Sequence, residues 1–199
     1  MKKAFTVTDK KIIQNILYEA EYGTLALSSD NKPYSIPINF MELNDDIYFH
    51  GAKNGKKIDF IKQNSYASFS VVESYSILPS YFSTSDGSAC PATHMFKSVI
   101  INGKIEFVDK YDEKVDALNA LMKKLQSEGK YISLNDKMYK KVINVTALFK
   151  LPPDEITCKV KFGQNFNKER YERVCKYLEQ RGTPKDIATL KLINEFRNE

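Results

Sequence analysis

Lys56 and Lys57, led in by Gly51 and Gly55, are the residues whose types and spacing most directly suggest chemistry, and that chemistry is holding a phosphate. Ile47, Tyr48 and Phe49 read as a short β-branched and aromatic strand, and Ile58, Phe60 and Ile61 begin a helical spacing. A strand therefore enters a helix through a small, basic, glycine-punctuated loop. Backbone N–H groups at a helix start are unpaired and lie at the positive end of its dipole, so an anion there meets aligned donors as well as two ammonium groups. In a chain with 30 Lys and Arg, a solvated turn is the competing reading. His50, at the end of the same strand, can do acid–base work, since an unperturbed imidazole titrates near pH ~6.5. Cys90, Cys158 and Cys175 are odd in number and lack C-x-x-C spacing, so free thiols are expected, with no disulfide framework and no zinc site.

The elements that must position these residues follow from periodicity and turn chemistry. Thr8 or Asp9 caps a first helix whose Ile12, Ile13, Ile16, Leu17 and Ala20 share a face, with Gly23 as its stop. Residues 24–28, 34–41 and 47–50 then read as an antiparallel meander. Pro37 cannot donate to a ladder, so its strand is expected at an edge or a bulge, leaving backbone groups free for a ligand. A short helix over 56–63 and a strand over 66–72 come next. Residues 73–93 lose periodicity and form a candidate lid, in which Tyr75, Tyr81 and Phe82 either cover a ligand or pack the loop on its own barrel. A strand over 96–108 bends at Gly103, an amphipathic helix spans 113–128, and a last strand over 141–151 is stopped by Pro152 and Pro153. Two helices, 167–181 and 184–198, flank Gly182 and Thr183.

Composition narrows the classes. With 199 residues, 42% hydrophobic and 28% charged, the chain suits one globular domain rather than disorder. The net charge of +5 is spread among 25 acids without a basic run or reader motif, so nucleic acid is not an expected partner. No apolar stretch approaches the ~20 residues of a membrane span, and residues 1–7 hold no signal core, so a cytoplasmic protein is expected.

Taken in order, Tyr-Gly-Thr-Leu-Ala-Leu, Lys-Pro-Tyr-Ser-Ile-Pro-Ile-Asn-Phe, Ile-Tyr-Phe-His-Gly-Ala with Gly-Lys-Lys, and Phe-Lys-Ser-Val-Ile-Ile-Asn-Gly-Lys-Ile-Glu resemble the pyridoxamine 5'-phosphate oxidase-related FMN-binding split-barrel family. The 5-nitroimidazole-resistance branch is nearest. The resemblance covers residues 9–151, takes in Cys90 and Thr93, and continues into Lys161, Phe162, Gly163 and Gln164.

It implies a mainly β fold with flanking helices, a six-stranded antiparallel split β-barrel over 1–151, with residues 152–199 as a C-terminal helical extension of the same domain. It also implies FMN, shared between the two protomers of a homodimer. Lys56 and Lys57 match the family's phosphate-binding pair, and Ile36, Pro37, Ile38 and Asn39 offer the ring a wall with backbone partners. His50, Gly51 and Ala52 complete the cofactor-binding set from the loop side, and Ser98 matches the position given by the partner subunit. His50 matches a histidine near the flavin: either its ring is catalytic, or its backbone alone touches FMN while the ring caps a neighbouring loop.

The expected activity is FMN-dependent reduction of a small organic acceptor, with NAD(P)H as the candidate electron donor. A flavin-binding module without a dedicated substrate is the alternative from another class. So is the haem-degrading branch, for which His50, His94 and Cys90 are the available iron ligands. True pyridoxamine-phosphate oxidases hold substrate with C-terminal Trp and Arg positions, and this chain has no Trp.

Overall fold

The computed structural model describes residues 3–197; the expected end of the last helix at Asn198 lies outside the described residues. Asp9 starts the first helix by accepting hydrogen bonds from the N–H of Lys11 at 2.7 Å and of Ile12 at 3.2 Å, and α1 (Lys10–Glu19) follows with Ile16 and Leu17 buried. The helix ends before Gly23, which is already the first residue of β2 (Gly23–Ser29). A Cβ on Gly23 would stand 2.0 Å from the Phe69 ring, so this glycine serves strand packing and not a helix stop.

Two tight hairpins follow. Asp30 and Asn31, with φ of 50° and 59°, join β2 to β3 (Lys32–Ile38), and Asn44 and Asp45, with φ of 55° and 73°, join β4 (Met41–Leu43) to β5 (Asp46–Gly51). Both are two-residue turns of the kind whose twist suits antiparallel strands and which Asn and Asp tolerate best. The helix α2 (Lys56–Gln63) has the bounds read from the sequence. The remaining elements are β1 (Thr6–Val7), β6 (Tyr66–Leu78), β7 (Thr93–Lys104), β8 (Glu106–Val108), α3 (Tyr111–Leu125), α4 (Lys140–Val145), β9 (Ala147–Leu151), β10 (Glu155–Lys161), α5 (Lys168–Arg181) and α6 (Pro184–Glu195).

One sheet has six strands in the order β1-β10-β7-β6-β2-β3, and a second has four, β4-β5-β9-β8. This is the mainly β class with flanking helices that the sequence implies. The described residues form two compact units: one holds residues 3–8, 72–98 and 158–197, the other Asp9–Val71 and Val99–Thr157. In the second, α3 lays Ala117 and Leu121 on Met41, Tyr48, Val108 and Leu148.

Four expectations need correction. The strand read over 141–151 is helical as far as Val145, and only Ala147–Leu151 is extended. Val142, Ile143 and Val145 suggested a strand, but Ile143 is buried, and Thr146 closes the turn by donating its N–H and hydroxyl to the Val142 carbonyl at 3.0 and 2.8 Å. The strand read over 96–108 is two strands in different sheets, parted at Ile105, whose N–H turns to the Ser65 carbonyl at 2.8 Å. The aperiodic segment is shorter than residues 73–93, because β6 runs on to Leu78. Within it Phe82 is buried and stacks on Tyr177 at 4.8 Å, whereas Tyr81 stays exposed, so Phe82 packs the loop down. Finally, β10 was not expected, although Cys158 and Val160 alternate as buried residues with half-buried Thr157, Lys159 and Lys161.

In the first unit, Gly182 ends α5 in the left-handed region and Thr183 opens α6 in a capping box with Asp186. Asp186 is fully buried. It accepts from Arg181 Nη2 at 2.6 Å and from Ser76 Oγ at 2.5 Å, and the Arg181 guanidinium holds its carboxyl well below the usual range, with the Ser76 and Thr183 hydrogen bonds adding to this. That network fixes α6 to β6.

Gly103 lets the chain at Pro152 pass close to β7. A Cβ there would lie 2.1 Å from the Pro152 carbonyl oxygen, a backbone atom that cannot swing away, and Asp154 N–H bonds to the Asn102 carbonyl at 2.9 Å beside it. Gly103→Ala is expected to destabilise by about 1–3 kcal/mol, the usual cost of overpacking, read as a lower urea midpoint at unchanged slope. A midpoint equal to that of the parent would contradict this reading of the close approach.

Candidate functional site

The second unit brings nine of the ten sequence-predicted site residues onto three neighbouring stretches of chain: β3 with the residue after it, the end of β5 with its loop, and the start of α2. Ile47, Tyr48 and Phe49 are buried because β5 lies inside the four-stranded sheet, between β4 and β9. His50 then reaches the surface, Gly51 is half-buried, and the loop from Ala52 to Gly55 is exposed. Gly55 has φ of 113°, a conformation open to glycine and strained for other residues, and a Cβ built on it would meet nothing within 4 Å. Its carbonyl accepts from Ile58 and Asp59, and no side chain caps the helix there. The turn is thus open, basic and rich in main-chain donors.

The two lysines diverge from this turn. Lys56 is exposed and its ammonium lies 4.5 Å from the centre of the Tyr34 ring, which itself packs on Phe60 at 5.2 Å. Lys57 folds back over Gly51, where a Cβ would come within 2.3 Å of its Nζ. It also lies 5.5 and 5.2 Å from the Phe49 and Phe149 rings, which stack on each other at 5.1 Å across the β5–β9 register. Burial lowers the Lys57 pKa from its ordinary value. Among the described residues no carboxylate pairs with this lysine, so an ammonium held over a bare glycine backbone and two aromatic faces is ready to gain from an anion.

His50 has an exposed face, yet its pKa is lowered, first by desolvation of the side turned to the protein and second by the Lys57 charge. Both causes favour the neutral form of the ring.

β3 is an edge strand of the six-stranded sheet, which is where Pro37 can stand without breaking a ladder. Its register places Ile36 opposite Leu25, Pro37 opposite Thr24 and Ile38 opposite Gly23. Tyr34, Ile36 and Ile38 are half-buried on one face; Ser35, Pro37 and Asn39 are exposed. Because Tyr34 meets Lys56, the Ile36–Asn39 wall begins one alternate position, about 7 Å, from the basic turn. An open depression of about 320 Å³ is lined by Tyr22, Pro37, Ile38 and Asn39. Ser98 belongs to the other unit, half-buried in β7.

Sequence reasoning missed Tyr34 and Phe149. Period-two alternation from Ile36 and Ile38 points to Tyr34; nothing local points to Phe149, which reaches the site through a long-range strand pairing. His94 has its Nε2 3.0 Å from the Ser74 hydroxyl, and among the described residues no three His, Cys, Asp or Glu side chains are grouped to hold a metal ion.

The sequence model of the pyridoxamine 5'-phosphate oxidase family matches residues 9–160, and the chain belongs to that family. A comparison with curated proteins gives no match. Among solved structures, a candidate 5-nitroimidazole antibiotic resistance protein from Bacteroides thetaiotaomicron shares 23% identity over 78% of this chain and 86% of its own, with a TM-score of 0.63. The FAD and haem binding protein from Mycobacterium smegmatis shares 19% over 79% and 74%, TM-score 0.66. The flavocytochrome Anf3 from Azotobacter vinelandii shares 20% over 86% and 78%, also at 0.66. At these identities the likeness is one of fold, here a split barrel. Among the described residues no helix is long and apolar enough to cross a membrane.

Proposed function

We propose that the protein binds FMN and acts as an FMN-dependent oxidoreductase that reduces a small organic acceptor at the expense of NAD(P)H. The observation that carries this reading is the open turn at Gly55, with Lys56 and Lys57 diverging from it beside the edge strand that bears Ile36–Asn39, in a chain of this family. Structural neighbours described as binding FAD and haem, or as a flavocytochrome, support a flavin. FMN is preferred to FAD because the basic turn suits a terminal phosphate dianion, which takes up cations and main-chain donors together.

The residues present fit that group. Lys56, Lys57 and the first N–H groups of α2 would hold the phosphate, and Ile36, Pro37, Ile38, Asn39, Gly51 and Ala52 would border the ring and its polar edge. When bound, the flavin supplies the electron-transfer chemistry. The chain orients it, shields one side from water and, at the His50 imidazole, holds or gives a proton to an acceptor being reduced.

A homodimer, with Ser98 of each protomer serving the other's flavin, is part of the proposal. The exposed Ile100, Phe107 and Ile156 supply apolar surface for such an interface. A cytoplasmic setting suits three free cysteines, one of them exposed.

The test is turnover: FMN-loaded protein supplied with NAD(P)H and a nitroimidazole is expected to oxidise the nicotinamide in step with loss of the nitro group. Full FMN occupancy without turnover on any nitro or quinone acceptor would reduce the protein to a flavin-binding module.

A further inference from the structure

Cys90, Thr93 and the Lys161–Gln164 segment are sequence motifs that the proposed function leaves unused. The first unit brings them together. A cavity of about 350 Å³ is lined by Phe5, Cys90, Thr93, Lys159, Lys161 and Arg170, among others. Lys159 and Lys161 stand on the same face of β10, with buried Cys158 and Val160 between and behind them. Arg170 enters from the first turn of α5, whose cap, Asn167, accepts the Arg170 N–H at 2.9 Å.

Lys159 and Arg170 are braced by aromatic or neutral polar groups. Lys161 donates to the Thr93 hydroxyl. Lys159 lies 5.1 Å from the Phe96 ring and 5.9 Å from the Phe5 ring. The Arg170 guanidinium sits 4.1 Å over the Phe166 ring and gives one Nη2 hydrogen bond, at 3.3 Å, to the Pro91 carbonyl. Its Nε is buried and, among the described residues, has no hydrogen-bond partner. Burial also lowers the Arg170 pKa.

Among the described residues no Asp or Glu lines the cavity. Lys159 and Arg170, drawn to one hollow, repel one another, and a buried guanidinium N–H left unpaired costs free energy that a ligand oxygen would recover. A planar guanidinium stacked on a ring has its fork fixed in place, the geometry that suits a two-oxygen contact with an oxyanion. Phe5 and Phe166 give the hollow apolar walls.

We propose that this cavity is a second ligand site, which binds a small organic molecule through a compact dianionic oxyanion group held by Arg170 and Lys159. It shares no residue with the Lys56–Lys57 turn, so it stands independently of the flavin reading. The two positive charges favour a dianion over a monoanion of similar size. The aromatic walls favour an aryl group on that dianion over none.

The experiment is calorimetric titration of the full chain, flavin-free and FMN-loaded, with phosphate, phenyl phosphate and acetate at constant ionic strength. Alkylation of Cys90, the exposed cysteine, locates the binding. Phosphate is expected to bind saturably and at least tenfold more tightly than acetate, with phenyl phosphate tighter again. Bound phosphate should slow Cys90 alkylation whether or not FMN is present. Arg170→Gln and Lys159→Gln should each weaken phosphate binding at least tenfold, while Lys123→Gln, an exposed change of the same charge on α3, leaves it unaltered. If Arg170→Gln fails to fold, Lys159→Gln decides alone. The proposal is overturned if acetate matches phosphate, if Lys123→Gln weakens binding as much as the cavity variants, or if FMN loading abolishes the site.

Discussion

Replacing Lys56 and Lys57 together with alanine is expected to weaken FMN binding by about 10²-fold while leaving riboflavin binding almost unchanged. The magnitude follows from two charge-assisted contacts to one phosphate, each contributing about 1.5 kcal/mol or more, with tenfold in affinity for every ~1.4 kcal/mol. The geometry gives the two lysines different settings. Lys56 is exposed and rests on Tyr34, so its charge is screened by water and salt. Lys57 is partly desolvated over Gly51 and the Phe49–Phe149 pair, so its charge acts through less water. Lys57→Ala alone is therefore expected to account for more of the loss than Lys56→Ala alone. Riboflavin lacks the phosphate and serves as the control: equal weakening of both ligands would mean that the substitutions disturb α2 and not a phosphate contact.

His50→Gln is expected to keep FMN affinity within a few-fold and to slow turnover of an organic acceptor by about 10²-fold, the low end for general acid–base catalysis. Glutamine retains the polarity and hydrogen-bonding reach of the ring and removes its proton chemistry. The pH dependence has a definite sign. Desolvation and the Lys57 ammonium hold the His50 pKa below the ordinary imidazole value, so a step needing the protonated ring slows as pH rises through that lowered pKa. The same shift affects stability. The unfolded chain takes up the proton first as pH falls from ~6.5, so the contribution present above that pH is lost down to the folded pKa. Lys57→Ala removes one of the two causes and should move the His50 titration, followed by NMR of the ring protons, upward. Unchanged turnover in His50→Gln with unchanged FMN content would assign the residue to the scaffold, and loss of FMN would make it a binding residue.

The parts of this fold that were legible in the sequence are those fixed by local chemistry. Asp9 as a cap, the Asp30–Asn31 turn, the Gly182–Thr183 junction and the bounds of α2 all follow from residues within a few positions of one another. Gly55 and the lysine pair were legible for the same reason. What was not legible depends on partners distant in sequence. Gly23 reads as a helix stop until Phe69 is beside it, and residues 141–145 read as β until Ile143 is buried and Thr146 closes the turn. The long β7 run conceals a break that only the Ser65 carbonyl explains. Lys159, Lys161 and Arg170 looked like scattered surface charge because their convergence requires β10 and α5 to meet the segment around Pro91 and Thr93.

The central claim is that this chain holds FMN at the Gly55 turn, and the most direct measurement is to purify the protein under native conditions, release its pigment and identify it by chromatography and mass. FMN is the predicted result, at about one per chain, with a flavin visible spectrum and occupancy that falls in the Lys56→Ala/Lys57→Ala variant. Haem or FAD in its place, or a chain that stays colourless and takes up no added FMN, would contradict the account.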